Sequence, residues 1–287
     1  MQGKIIRIVS NQYTVIDQQH QRLQALAMGK VRLQDKPLVG DEVEVALYDD
    51  RYCIEKILPR SNHLYRPAIA NVDQAMIVMS ACDPVFSNVL VDRLIFLIEY
   101  NDIEPLIVVS KMDLVEKDDP VYQYIDDYRK SGYQVILVGH DYELDDLKAA
   151  LKDKVTVLAG QSGVGKSSLL NKLDPDFALA TQQISKALNR GKHTTRHTEL
   201  YEVAGGWLAD TPGFSSLDFS RIDSRTLAGK IKDFADAGAC RFNDCHHLNE
   251  PDCAIIRGVQ EGRISRYRYD NYVSVVSLCN KKKEWEL

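Results

Sequence analysis

The octapeptide Gly160-Gln161-Ser162-Gly163-Val164-Gly165-Lys166-Ser167 satisfies G-x-x-x-x-G-K-[ST] at every fixed position. That spacing points to one kind of chemistry. Glycines let the backbone curl until several N–H groups face one anion. The lysine reaches the β- and γ-phosphates, where it also serves the transferring phosphoryl group, and the hydroxyl beside it ligates Mg²⁺. An apolar stretch, Lys154–Ala159, precedes the loop, and a helical stretch, Ser167–Leu173, follows it. Strand, loop and helix in that order are the context the motif requires. The helix N-terminus, with Ser168 in its first turn, adds positive dipole. Residues 160–168 therefore read as a cradle for a nucleoside triphosphate, with Lys166 as a catalytic residue.

Ser110-Lys111-Met112-Asp113 follows another apolar stretch, Leu106–Val109. A carboxylate there can accept two hydrogen bonds, from guanine N1–H and from the exocyclic amine. Adenine offers no such pair, and leaving a buried carboxylate unpaired costs about 1–3 kcal/mol or more. Lys111 can lie over the ring. Asp210-Thr211-Pro212-Gly213 follows Trp207–Ala209; an Asp there can hold Mg²⁺ through water, and a Gly lets the backbone approach the γ-phosphate. Between these motifs lies Gly191-Lys192-His193-Thr194-Thr195-Arg196, where a Thr can close over Mg²⁺ as a switch segment; the Thr-Arg pair resembles related switch segments, and that resemblance implies Thr195 rather than Thr194.

Cys240, Cys245 and Cys253 cluster around His246 and His247. Cys240-x4-Cys245-x-His247-x5-Cys253 offers three thiolates and one imidazole, the donor set of a closed structural Zn²⁺ site, with His246 as the alternative fourth ligand. Cys53, Cys82 and Cys279 stand alone and read as buried or half-buried thiols.

These residues need a scaffold. Residues 1–60 show short β segments at Lys4–Val9, Gln12–Ile16, Gly29–Leu33, Asp41–Leu47 and Arg51–Ile57, which suits a small barrel such as an OB-fold. Residues 61–70 read as a linker. The pattern then alternates: strands at Asp73–Ser80, Leu106–Ser110, Val135–Gly139 and Val155–Ala159, helices at Leu90–Tyr100, Tyr122–Ser131 and Leu144–Leu151. Alternation of this kind argues for an α/β parallel sheet, whose ligands bind outside the carboxyl ends of the strands. Beyond about residue 217 the pattern is mainly helical, with helices expected over Ser224–Ala237 and Gly262–Cys279. The expected division is 1–60, 61–217 and 218–287.

The order of motifs is unusual. Ordinary GTPases carry the phosphate loop first and the base reader late. Here residues 110–113 precede 160–167, and no second N/S-K-x-D follows residue 213. The sheet is therefore read as circularly permuted, which joined termini make topologically cheap. With GQSGVGKSS, NRGKHTTRH, DTPGFS, the displaced SKMD and the C-terminal cysteine–histidine spacing, the chain resembles the circularly permuted RsgA GTPase family over nearly its whole length.

That resemblance implies an OB-fold barrel, a permuted GTPase domain and a zinc domain, with GTP, Mg²⁺ and one structural Zn²⁺. The family spacing selects His247 over His246 as ligand. The resemblance also implies binding to the small ribosomal subunit and its rRNA late in assembly, and stimulation of GTP hydrolysis by the subunit. No Gln stands after D-x-x-G, where Phe214-Ser215-Ser216 is found; the family's catalytic histidine matches His193, which otherwise reads as a loop histidine contacting RNA. Two departures stand out: Ser110 in place of Asn, and Val138-Gly139-His140 in place of a Ser-Ala pair.

Composition sets the outer limits. The 287 residues carry 36 Lys+Arg against 41 Asp+Glu, a net charge of −5, which excludes a globally basic coat. Local basic stretches remain: Lys186, Arg190, Lys192 and Arg196, and then Arg257, Arg263, Arg266, Arg268 and Lys281–Lys283, interleaved with Tyr267, Tyr269 and Tyr272. No run approaches the roughly 18 apolar residues of a membrane helix. A cytoplasmic monomer is expected. The competing readings are a P-loop enzyme of small-molecule metabolism and a nucleotide-gated RNA-binding module without efficient turnover.

Overall fold

The computed structural model describes residues 1–65, 67–174, 199–209, 217–220 and 222–279. They fall into two compact units. One holds Met1–Gln74, Leu144–Leu158 and Lys166–Phe214; the other holds Ala75–Glu143, Ala159–Gly165 and Ser215–Leu287.

In the first unit, β1 (Gln2–Val9), β2 (Gln12–Asp17), β3 (Arg22–Ala27), β4 (Glu42–Tyr48) and β5 (Arg51–Ile57) close into a barrel of order β1-β2-β3-β5-β4. Period-2 alternation sends Ile5, Tyr13, Val15, Ala25, Val43, Val45 and Ile54 inward, and closure leaves no unpaired edge. This is the expected OB-type barrel, but one strand was misplaced. Gly29–Gln34 is a helix, α1, which seats Val31 in the barrel core. The third strand is Arg22–Ala27, whose sequence RLQALA favours helix. Pairing with β2 on one side and β5 on the other overrides that preference.

The expected linker is also structured. Strands β6 (His63–Tyr65) and β7 (Ala68–Ala70) pair antiparallel. Arg60 donates to the fully buried Asp41 at 2.6 and 2.8 Å, and the Asn71 amide donates to the Gly40 carbonyl at 3.0 Å. Gly40 has φ +90°, and a side chain there would strike the Ala70 carbonyl.

The same unit contains α4 (Asp145–Leu151), β11 (Val155–Ala159), α5 (Lys166–Leu173), β12 (Leu200–Val203) and β13 (Gly206–Ala209), with neighbours in the order β11-β13-β12. β11 and β13 are parallel. β12, which the sequence reading missed, runs antiparallel to β13, so the sheet is mixed rather than purely parallel.

In the second unit, β8 (Gln74–Ser80), β9 (Glu104–Ser110) and β10 (Gln134–Leu137) stand in the order β10-β9-β8. Every residue of β8 is buried, as a strand covered on both faces requires. Helices α2 (Asn88–Tyr100) and α3 (Val121–Lys130) connect the strands; Ser87 caps α2 by accepting from the Leu90 N–H at 3.3 Å. The C-terminal part holds α6 (Ser224–Lys230), α7 (Lys232–Ala235), α8 (Ala254–Gln260) and α9 (Arg266–Val276). The single helix expected over 224–237 is broken at Ile231, whose backbone is extended and whose side chain is fully buried. The last helix begins at Arg266 rather than Gly262, and α8 was not foreseen. Among the described residues no helix is long and apolar enough to cross a membrane.

Candidate functional site

The loop after β11 has the geometry its glycines predicted. Gly160, Gly163 and Gly165 have φ of +126°, +86° and +90°, and a side chain at Gly160 would strike the Val78 carbonyl oxygen. Such a backbone is open to glycine at little cost and to few other residues. Val164 is fully buried and anchors the loop, while Ser162 and Gly163 are exposed. Lys166 opens α5, with Ser167 and Ser168 exposed in the first turn. Burial lowers the Lys166 pKa, since desolvation disfavours its charge. A phosphate placed beside it would compensate that desolvation.

The tetrapeptide Ser110-Lys111-Met112-Asp113 is attached to this loop. Ser110, the last residue of β9, lies 54 positions before Val164, yet its hydroxyl is 2.6 Å from the Val164 carbonyl and 3.2 Å from the Met79 carbonyl. Lys111 has φ +60°, and its ammonium donates to the Asp83 carbonyl. Met112 is buried and its N–H donates to the Val138 carbonyl at 3.2 Å. Asp113 lies in a 3-10 turn, Met112–Leu114, against Gly139. The reversed motif order thus still brings residues 110–113 and the loop 160–165 together.

A second constellation lies between α7 and α8. The ligand atoms of Cys240, Cys245, His247 and Cys253 all lie within 4.8 Å of one another. His247 Nδ1 is 3.5 Å from Cys240 Sγ and 3.4 Å from Cys253 Sγ, and the two sulfurs are 3.9 Å apart. Tetrahedral geometry with Zn–S of about 2.3 Å and Zn–N of about 2.0 Å requires S···S near 3.8 Å and S···N near 3.5 Å. A disulfide requires about 2.05 Å, so the set fits a metal and not a bridge. Burial pushes the Cys245 thiol up to about 12, raises Cys253, and lowers His247. In a metal site those thiols give up their protons to become ligands.

The loop carrying His247 is held by residues the sequence reading did not assign to it. Glu250 accepts from the N–H groups of His246, Leu248 and Asn249 at 2.8, 2.8 and 3.0 Å. Burial alone would raise its pKa; these bonds outweigh it and bring the carboxyl down to about 2. Tyr269 donates to the His247 carbonyl at 2.8 Å and Tyr272 to the His246 carbonyl at 3.1 Å.

The RsgA GTPase family model matches residues 57–220. The small ribosomal subunit biogenesis GTPase RsgA of Bacillus subtilis is 44% identical, and that of Geobacillus kaustophilus 46%, each alignment covering 98% of both chains. Two crystal structures are similar throughout. YloQ, described as a circularly permuted GTPase, has a TM-score of 0.82 and 41% identity, over 96% of this chain and 93% of its own. YjeQ from Thermotoga maritima has a TM-score of 0.83 and 33% identity, over 98% and 99%. The chain belongs to the RsgA GTPase family. It is a GTP hydrolase with a circularly permuted GTPase domain, an activity that implies Mg²⁺, and it carries a cysteine–histidine cluster able to hold a metal ion.

Several candidates of this RsgA-family chain fall outside the described residues: His193, Thr194, Thr195, Asp210, Gly213, the basic run from Lys186 to Arg196, and the terminal lysines. One basic region is corrected. Arg268 is not a surface cation. It is fully buried and donates to Asp92 at 2.6 Å, to Asp233 at 2.8 and 2.9 Å and to the Tyr133 hydroxyl at 3.1 Å. Tyr272 is buried too, whereas Arg263 and Arg266 are exposed and paired with Glu261 and Asp270. Arginines spaced along a helix do not announce which face they occupy; here the acids that claim Arg268 lie more than 30 residues away.

Proposed function

We propose that this chain hydrolyses GTP in late assembly of the small ribosomal subunit, binding that subunit's rRNA and hydrolysing faster when bound to it. The relatives that support this reading carry small-subunit biogenesis in their names and align over nearly the whole chain. The observation that best supports this reading is the Ser110–Val164 hydrogen bond, which holds residues 110–113 beside the loop 160–165; the nucleotide choice itself rests on the carboxylate of Asp113, whose two acceptor oxygens suit the paired donors of guanine.

The residue roles follow from chemistry. Gly160–Ser168 wrap the phosphates with backbone N–H groups, and Lys166 neutralises charge as the β–γ bridging oxygen leaves. Asp113 reads the guanine edge, with Ser110, Lys111 and Met112 positioning it. Ser167 and Thr195, with Asp210 through water, would hold Mg²⁺, whose charge would screen the γ-phosphate, and the Gly213 N–H would contact that phosphate. His193, through a neutral ring nitrogen, orients the water that attacks the γ-phosphorus. Cys240, Cys245, His247 and Cys253 hold one structural Zn²⁺, which supplies folding energy to a C-terminal segment too small to build a large core. The functional modules are 1–60, 61–217 and 218–287, in a cytoplasmic monomer.

The test is GTP hydrolysis by the purified protein with and without small subunits, with ATP as competitor. Stimulated turnover that ATP does not suppress is expected, as is a loss of about 100-fold in His193→Ala. Equal turnover with and without subunits would refute the assignment.

A further inference from the structure

Trp207 is a large aromatic residue set beside a groove in the barrel. It lies on β13, and its backbone is held from both sides. It pairs with Glu202 of β12 and with Val155 of β11, and its N–H donates to the Lys154 carbonyl at 2.8 Å. Its half-buried side chain lines a groove of about 220 Å³ with barrel residues, Gln2, Lys4, Asp17, Gln18, His20 and Glu42 among them. That is below the roughly 300–1,000 Å³ of sites for drug-sized ligands, and it suits one flat ring system.

Charge argues against a phosphate there. Lys4 is the only Lys or Arg lining the groove among the described residues, and it pairs with Glu42 at 3.3 Å. Asp17 adds a second carboxylate. It accepts from the N–H groups of Gln19 and Gln21, both at 2.8 Å, and so pins the turn that presents Gln18 and His20. Among the described residues, the side chains of Gln2, Gln18, His20 and Trp207 have no hydrogen-bond partner. Each amide, and a neutral imidazole, carries a donor and an acceptor, and the indole N–H donates. Such a set does not counter an anion's charge. It matches the mixed donor and acceptor edge of a nucleobase, while the indole face stacks on the ring.

We propose that this groove takes one unpaired RNA base, stacked on Trp207 with its edge against Gln2, Gln18 and His20. The inference rests on the reading that this chain binds rRNA, and it names the part of that contact that recognises a base rather than the sugar-phosphate chain. A paired base would not enter, since its faces are stacked and its edge is occupied, so the groove selects single-stranded segments.

The chain has two tryptophans, Trp207 and Trp285, so Trp285→Phe makes Trp207 the only indole reporter. The experiment titrates that full-length protein with short single-stranded oligoadenylate and oligouridylate, and with an abasic ribose-phosphate oligomer of equal length. The base-bearing strands should quench Trp207 fluorescence and the abasic strand should not. Trp207→Ala should weaken binding of the base-bearing strands about 5- to 150-fold, the range for loss of base–aromatic stacking, and leave the abasic strand unaffected. Equal quenching by the abasic strand, or unchanged affinity in Trp207→Ala, would overturn the proposal. If Trp207→Ala fails to fold, the exposed pair Gln2→Ala and Gln18→Ala carries the test. Together they should weaken binding of the base-bearing strands at least about twofold, and unchanged affinity would overturn the proposal. Binding to purified small subunits checks the underlying reading separately. If the parent protein ignores subunits while oligonucleotides still quench Trp207, the assembly reading fails and the base pocket stands. If Trp207→Ala binds both subunits and oligonucleotides as tightly as the parent, the pocket fails and the assembly reading stands.

Discussion

Arg268 and Asp92 stand 2.6 Å apart with both side chains entirely out of water, although 176 residues separate them in sequence. The guanidinium also pairs with Asp233 and lies over the rings of Tyr128 and Tyr133, so it links α9, α7 and α2 in one polar knot. Asp92 is satisfied on its other oxygen by the Asn271 amide at 2.6 Å. Removing one partner of such a pair strands the other's charge, which usually costs about 3–5 kcal/mol. Arg268→Ala should lose about that much stability by chemical denaturation. A loss below about 1 kcal/mol would mean that Asp92 and Asp233 are held by other groups.

The same knot gives stability a pH dependence. Burial pushes the Glu99 carboxyl up to about 8 from an ordinary value of 4.5, and the Tyr133 hydroxyl, 3.1 Å away, donates to it. Between those values the native chain keeps a proton that the unfolded chain has released. The stabilisation from this group is therefore complete below pH 4.5 and is lost as pH rises through 8. Asp92, raised to about 6 by burial, acts in the same direction. A fully linked proton is worth about 1.4 kcal/mol per pH unit. Glu99→Gln should flatten the decline between about pH 5 and 8 relative to the parent protein. Parallel denaturation curves for the two across that window would contradict the shift.

Metal content is directly measurable. The purified protein should contain one equivalent of zinc, and chelation should lower its melting temperature. Cys245→Ser should lose the equivalent and melt like the chelated protein. Elemental analysis showing full zinc in Cys245→Ser would remove that residue from the site.

Ser110→Ala removes the hydroxyl that joins residues 110–113 to the loop 160–165. A neutral hydrogen bond is worth about 0.5–1.5 kcal/mol, so GDP affinity should fall about 2- to 12-fold. Titration with a fluorescent GDP analogue reads this. A change below twofold would show that β9 alone holds the register.

The phosphate loop, the permuted order and the metal set were legible because each is a local pattern whose chemistry fixes its residues. The misreadings were of another kind. RLQALA became a strand because β2 and β5 claim it from both sides, and GKVRL became a helix because Val31 plugs the barrel. Ile231 divided a helical pattern because its side chain is needed in the interior. Arg268 looked like a surface cation because its partners, Asp92 and Asp233, lie on other elements.

Arg7, on the first barrel strand, forms an isolated antiparallel bridge with Glu199, and their side chains pair at 3.4 Å. Glu199 is the residue at which β12 is about to begin, directly after the span holding His193 and Thr195. The barrel thus grips Glu199, the residue at the downstream end of that span, like a hand on a rope. Tension applied to the barrel by a docked partner would be felt at that end, so cutting the grip with Arg7→Ala should blunt partner-stimulated turnover more than resting turnover.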